Sequence, residues 1–400
     1  MGFVVVTFAA ACSASGNRSG HLSAPTSGDL SLPPAPRVAF DSDVRAACAG
    51  ADASELAMPR RPYLQRVTDR SAMVMWTAGG DSTTGVSAEL PEHGIVAEVP
   101  STLDAAGQHA GLLAGLEPSS TYCYSVHDAS GSVVTRAGFR TAPAAGSGDE
   151  VRFVAIGDMG SGGPDQIAVL DQMKTVPFDL MLTVGDNAYE SGTLAQFEQN
   201  FFRVYADILQ YVPVFPTAGN HDYHTDDAAP FRQVFALPEN GGPEGLERWY
   251  SFDWGDVHFV GIDTEVLGSA QLEWLEQDLG RNELPWVIVY GHRPPYSSGE
   301  HGNELDVREM LSPIFARHGV RVYLAGHDHH YERTHETDGT TYIVTGGGGR
   351  GTRRTGSSSF TAFSAEVLHF VWGRVAGDIL ELHAIDATGR EFDSVAITRN

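Results

Sequence analysis

Five short stretches of this 400-residue chain end in side chains that bind metals. They are VRFVAIGDMG with Asp158, LMLTVGDNAY with Asp186 and Tyr189, VPVFPTAGNHD with Asn220 and His221, WVIVYGH with His292, and VRVYLAGHDHHYER with His327 and His329. Each opens on a β-branched or aliphatic run and passes a glycine before its carboxylate, amide or imidazole, the pattern of a buried strand ending in a turn. A lone Asp after Gly is ordinarily a turn residue or helix cap, but five repeats of one design are not explained that way. Ligands of open parallel sheets sit beyond the carboxyl ends of the strands. The pattern therefore predicts that these side chains, distant in sequence, meet in one patch that suits hard or borderline metal ions.

Helices must separate such strands. GPDQIAVLDQMKTV, LAQFEQNFFRVYADIL and SAQLEWLEQDLGRN read as helical, the last with Leu272, Leu275 and Leu279 on one face and acids on the other. Strands alternating with helices from about residue 151 predict an α/β domain. The tail LHFVWGRVAGDILELHAIDATGREFDSVAIT predicts two or three closing antiparallel strands. Upstream, Ala72, Val74 and Trp76 alternate with Met73, Met75 and Thr77 in a region of short strands and turn signals, which predicts an antiparallel β-sandwich. The expected organisation is a signal- or lipoprotein-type segment at 1–12, a flexible linker at 13–57, the sandwich at 58–142, a short PAAGSG linker, and a catalytic domain at 151–400. Within the first linker, residues 13–37 are rich in Ser, Gly and Pro and read as a tether; VRAACAGADASEL has the makings of a short helix.

Lys plus Arg number 26 against 51 Asp plus Glu, a formal charge of −25. That balance argues against nucleic acid as a partner. It also means that a phosphate anion must be attracted locally, by metal ions and nearby Arg or His. The start, MGFVVVTFAAAC, is too short to span a bilayer and resembles the apolar core and cleavage site of an export signal. Its AAAC also resembles a lipobox, which would lipidate Cys12 and attach the chain to a membrane; an ordinary cleaved signal is the alternative. The expected location is extracytoplasmic: secreted, periplasmic or lipid-anchored. In an oxidising compartment Cys48 and Cys123 are then expected to pair, two free thiols being the alternative.

The succession GDMG, GDNAY, GNHD, GH and GHDH resembles the calcineurin-like metallophosphoesterase superfamily, and Tyr189, three residues after Asp186, resembles the purple acid phosphatases within it. PYLQ and the W-T pair of the sandwich, with HHYER after the last histidine pair, are similar to the same family. Trp76, Leu116-Glu117-Pro118 and Tyr122/Tyr124 resemble a fibronectin type III module. The resemblance spans about residues 58–395. It implies an α/β (α+β sandwich) metallophosphoesterase domain of mixed β-sheets flanked by helices, preceded by an all-β fibronectin III-like sandwich. It also implies a dinuclear centre, with Fe(III) held by Asp158, Asp186, Tyr189 and His329. A divalent Zn, Mn or Fe ion would be held by Asp186, Asn220, His292 and His327, with Asp186 bridging. Carboxylate and phenolate oxygens suit a trivalent ion, and two imidazoles with an amide oxygen suit a divalent one.

The implied activity is that of an acid phosphatase on small-molecule phosphate monoesters. A metal-bound hydroxide attacks phosphorus in line, and a protonated imidazole serves the leaving alkoxide. The resemblance assigns His221 to phosphate contact. His301, in the loop YSSGEHGNE that departs from the plant-type sequence, is the second candidate acid, and Asp222 is a candidate to orient His221. His330 reads as structural, and Pro294-Pro295-Tyr296 as pocket wall. Residues 346–349 (GGGG), followed by Arg350, Arg353 and Arg354, read either as backbone approaching phosphate or as a flexible solvated loop. Two rival functions remain: a phosphodiesterase or nucleotidase of the same superfamily, and a non-catalytic surface binding protein. Seven intact metal-binding positions argue against the latter.

Overall fold

The computed structural model describes residues 2, 32–48, 58–78, 83–91 and 93–399. The leader and the lipidation of Cys12 lie outside these residues. The alternating SAMVMWT becomes the strand Ser71–Thr77, with Ala72, Val74 and Trp76 fully buried. It sits in an antiparallel sheet with Arg60–Gln65, Gln108–Ala114 and Thr102–Leu103. A second antiparallel sheet runs in the order Gly94–Pro100, Thr83–Leu90, Thr121–Asp128, Val133–Arg140. Inward side chains of both, among them Trp76, Val86, Tyr124 and Phe139, share one core, so the two sheets form a β-sandwich.

The remainder is built on two mixed sheets. In the first, Val214–Thr217, Leu180–Val184 and Val151–Ile156 run parallel, and the three tail strands His369–Ala376, Ile379–Asp386 and Glu391–Thr398 continue it antiparallel. In the second, Val257–Gly261, Trp286–Tyr290, Val322–Ala325 and Thr341–Thr345 form a parallel centre, with antiparallel strands at both edges. The strand WVIVY shows why its sequence is continuously apolar. Trp286, Ile288 and Tyr290 face the first sheet, while Val287 and Val289 face the helices Ser269–Arg281 and Leu305–His318. Leu275 and Leu279 are buried against that outer face as the helical periodicity predicts, with Leu272 packed beside them. Each such fully buried aliphatic side chain contributes about 1.5–3 kcal/mol relative to exposure. Phe153 meets Phe259 at 5.6 Å, and Phe215 stacks on Phe252 at 3.7 Å, closing the space between the sheets.

Two connections differ from the sequence expectation. Residues 33–48 were expected within a flexible linker, yet they lie along the α/β body. Ala35 N donates to Glu391 Oε2 (3.2 Å), Phe40 N donates to Lys174 O (3.3 Å), and Phe40 stacks on Phe178. The helix Ser42–Ala47 then leads to a disulfide between Cys48 and Cys123, with Cα atoms 5.4 Å apart. Composition signalled a tether because the anchors are isolated rather than periodic: Ala35, Phe40, backbone groups, and Arg37, which donates to Thr175 Oγ1 (2.7 Å) and Gly389 O. The PAAGSG segment is likewise pinned, since Gly255 N donates to Pro143 O (3.3 Å) and Gly148 N to Asp256 Oδ1 (3.2 Å). The apolar core consequently runs without a break from the sandwich into the α/β body.

Candidate metal centre

The two sheets end at one place. Asp158, Asp186 and Asn220 follow strands of the first sheet, and His292, His327 and His329 follow strands of the second. The chain leaves three of these strands sharply: Asp158, Asp186 and His327 have φ of 56°, 54° and 71°. Left-handed backbone in a non-glycine residue costs about 1–3 kcal/mol and concentrates at functional sites. The turns press so close that neighbouring positions admit no side chain. A Cβ on Gly219 would lie 2.3 Å from Asp186 Oδ1, and one on Gly326 would lie 2.6 Å from Asp158 Oδ2. Backbone amides fix the carboxylates, with His221 N donating to Asp186 Oδ1 (2.9 Å) and His327 N to Asp158 Oδ2 (2.8 Å).

All seven expected side chains face one another. Asp158, Asp186 and His292 each offer a ligand atom within 4.8 Å of the others. On one side, Tyr189 Oη lies 3.0 Å from Asp158 Oδ1 and 3.3 Å from His329 Nε2, and His329 Nε2 lies 3.4 Å from Asp158 Oδ1. On the other, Asn220 Oδ1 lies 3.0 Å from both His292 Nε2 and His327 Nδ1, while His292 Nε2 lies 3.5 Å from Asp186 Oδ1. His292 Nδ1 donates to Val184 O (2.9 Å), which leaves Nε2 of the neutral ring as a bare acceptor. That acceptor faces an amide oxygen and, at 3.3 Å, the Nδ1 of His327. Lone pairs aimed at one another are unfavourable without positive charge between them. The donor set therefore fits cations, with oxygen anions on one side and imidazoles with an amide on the other.

Without a metal, the facing carboxylates favour a proton on His292, in the place a bound cation would take. Burial alone would raise Asp158, but the facing imidazoles of His329, His292 and His327 hold it at about 2. Burial disfavours charge on His292, yet Asp186 and Asp158 raise it to about 9, and the buried His327 opposite is pushed down. Burial, together with the charges of Asp158 and Asp186, pushes the Tyr189 phenol well up. Those same anions are what bound cations would neutralise.

Around the cluster, the expected neighbours separate. The His221 ring packs on Tyr189 at 4.5 Å, and its Nε2 lies 3.9 Å from Asp186 Oδ2. Asp222, expected to orient it, does not. The His221 Nδ1–H donates to Glu190 O (2.8 Å), while the buried Asp222 carboxylate accepts from Gly219 N, Asn187 N, Asn187 Nδ2 and Ala188 N. Asp222 is thus the clasp between the GDNAY and GNHD turns. His301 stacks on His327 at 4.3 Å and accepts from Arg353 Nη1. Its loop is held by Asp328, which accepts from Ser297 Oγ (2.5 Å) and His301 N (3.0 Å), and by Glu332, which accepts from Ser298 N (2.6 Å). The sequence reading missed both carboxylates, although each lies inside the GHDHHYER block. His330 is buried beside Glu332, as a structural residue should be. Tyr296 is no pocket wall: it packs on Tyr342 and Phe360. A pocket of about 230 Å³ opens over the cluster, with Tyr189, His221 and His329 beneath and Glu190, Arg350 and Arg353 at its edge.

Comparison with known proteins agrees with this arrangement. The calcineurin-like phosphoesterase family matches residues 151–331. Acid phosphatase type 7 of Danio rerio is 30% identical over 264 residues, 56% of this chain and 57% of the relative, so the match spans little more than half of that protein. Tartrate-resistant acid phosphatase type 5 of Sus scrofa is 28% identical over 54% of this chain and 74% of its own length. Among solved structures, the purple acid phosphatase PPD1 of Lupinus luteus superposes with a TM-score of 0.76 at 23% identity, covering 86% of this chain and 75% of that one, which shows a shared fold.

Proposed function

We propose that the chain, whose residues 151–331 match the calcineurin-like phosphoesterase family, is an acid phosphatase that hydrolyses phosphate monoesters at a dinuclear metal centre, outside the cytoplasm. The observation that carries this reading is the convergence of seven metal-binding side chains at the ends of five strands from two sheets. Asp158, Asp186, Tyr189 and His329 would hold an Fe(III) ion, and Asp186, Asn220, His292 and His327 a divalent ion. When bound, such a pair supplies charge neutralisation for the phosphoryl oxygens and a nucleophile drawn from water.

The protein's own groups do the rest. With Nδ1–H committed to Glu190 O, His221 presents Nε2 toward Asp186 and the pocket, in position to contact a phosphoryl oxygen. His301 stands across the cluster, against His327, as the second candidate to handle the leaving-group proton. The Cys48–Cys123 disulfide supports an oxidising compartment, and with it export; membrane attachment through Cys12 belongs to the same proposal.

Phenol release from phenyl phosphate and from diphenyl phosphate by metal-loaded protein tests the reading. Turnover of the monoester is expected. Turnover of the diester alone would move the chain to the phosphodiesterase reading, and turnover of neither would end the enzymatic one. A visible absorption band that disappears in Tyr189→Phe is expected if Tyr189 binds Fe(III).

A further inference from the structure

Tyr189 reaches the cluster from a turn rather than from a strand end, so its backbone has to be fixed from outside. Its N–H donates to Gly160 O (2.8 Å), in the turn that carries Asp158. Its carbonyl accepts from Asn200 Nδ2 (2.9 Å). Because that partner is a carbonyl, the Asn200 amide has to present its NH2 and not its oxygen. Asn200 belongs to a π-helical turn, Phe197–Phe202, set between the α-helical residues Leu194–Gln196 and Arg203–Leu209. Arg203 N donates to Glu198 O, five residues back, which marks the turn as π. Such turns are rare and occur frequently at functional sites. Here Phe197, Phe201 and Phe202 enter the core, while the amides of Gln196 and Asn200 reach back to the segment that begins at Tyr189. Gln196 holds its far end, Oε1 accepting from Ser191 N (3.0 Å) and Thr193 N (3.1 Å).

Asn200 is itself tied to the Asp158 turn. Its backbone carbonyl accepts from Nε2 of the fully buried Gln166 (2.8 Å), whose Oε1 accepts from Gly162 N (2.7 Å). A Cβ on Gly162 would lie 2.6 Å from Asn200 Oδ1, so a side chain there would displace the amide. The glycine run 346–349 is buried rather than a solvated loop, and it packs on the same knot. A Cβ on Gly349 would lie 2.6 Å from Gln166 Cα, and Gly349 O accepts from Ser161 Oγ (2.8 Å). Gln166 and Asn200 thereby join the two turns whose side chains, Asp158 and Tyr189, stand 3.0 Å apart in the cluster.

We propose that Asn200 is a positioning residue for Tyr189: its bond to the Tyr189 carbonyl sets where the phenol oxygen stands relative to Asp158 and His329. This rests on the metal centre proposed above. Asn200 is uncharged and bonds to main chain, so it acts on the placement of Tyr189 and not on the charge of the cluster. Groups that orient a metal ligand in this way are typically worth about 10- to 100-fold in metal affinity or activity.

The test compares the wild type with Asn200→Asp, Asn200→Ala and, as a control, Gln196→Ala. Asn200→Asp keeps the shape of the side chain but turns an oxygen on Tyr189 O. In both Asn200 variants, metal-loaded, kcat on phenyl phosphate should fall roughly 10- to 100-fold with KM little changed, and the visible band assigned to Tyr189 on Fe(III) should weaken or move. In the metal-free proteins, NMR of ring-labelled tyrosine, with Tyr189→Phe giving the assignment, should show the Tyr189 resonance displaced in both. Gln196→Ala should lower the melting temperature and leave kcat, band and resonance as in the wild type. An undisplaced resonance with unchanged kcat in the Asn200 variants, or the same changes in Gln196→Ala, would overturn the positioning role while leaving the phosphatase reading intact. A wild type without the band would instead sink the Fe(III) assignment, and one inactive on phenyl phosphate the phosphatase reading; the metal-free resonance decides the role of Asn200 in either case.

Discussion

Asp186 touches both halves of the cluster: its Oδ1 lies near His292 Nε2, and its charge opposes ionisation of Tyr189. Asp186→Asn removes an anionic oxygen from a position that two cations would share. Phosphate release should fall to background while the melting temperature of the metal-free protein changes little, which separates loss of the site from loss of the fold. Asp222 makes the opposite case. It accepts four N–H groups and none from His221. Replacing it with Ala strands those buried donors and should lower unfolding free energy by about 3 kcal/mol or more. Urea melts would show this. The pH–rate profile of Asp222→Asn should keep its shape, whereas a residue that orients the imidazole would shift one limb.

The strands that carry the site were legible because each is a short apolar run buried on two faces, and the helix Ser269–Arg281 was legible from its leucine periodicity. The turns after those strands drew attention to the cluster side chains, and the seven-residue ligand set was what the family resemblance implied. What sequence could not give was pairing across space. Mixed sheets flanked by helices and antiparallel closing tail strands were expected and are found, but which strands pair, and that the first sheet takes the tail strands beside Val151–Ile156, was not legible. The anchoring of residues 33–48 depends on single contacts such as Phe40 on Phe178, which leave no periodic trace. Asp328 and Glu332 escaped notice because their partners, Ser297 and Ser298, belong to a loop with no pattern of its own. The Cys48–Cys123 bridge, 75 residues apart in sequence, ties that anchored segment to the sandwich. Cys48→Ser with Cys123→Ser should cost roughly 2–5 kcal/mol of stability, read by denaturant unfolding with the metal content held constant.

Sandwich and α/β body share one core, so unfolding should be a single transition over residues 33–400 rather than two. Its pH dependence has an identifiable source away from the cluster. Burial alone would keep His258 neutral, but Asp253 and Asp278 on its two ring nitrogens raise its pKa from 6.5 to about 9. The folded value exceeds the unfolded one. The contribution is therefore complete below about pH 6.5 and is lost as pH rises through about 9. It amounts to about 3 kcal/mol at most, so the stability gap between wild type and His258→Gln should narrow by up to that amount between about pH 6 and pH 10. The proposed function would depend on the whole molecule in one more way: a chain of net charge −25 would repel an anionic substrate, and bound metal ions would have to offset that locally. The claim beneath all of this is that seven side chains hold a pair of cations. Metal content by mass spectrometry, measured on wild type and on Asp186→Asn after identical loading, tests it directly. The account predicts two ions per wild-type chain and loss of the pair in the variant. A wild type that takes up none, or a variant that keeps both, would contradict it.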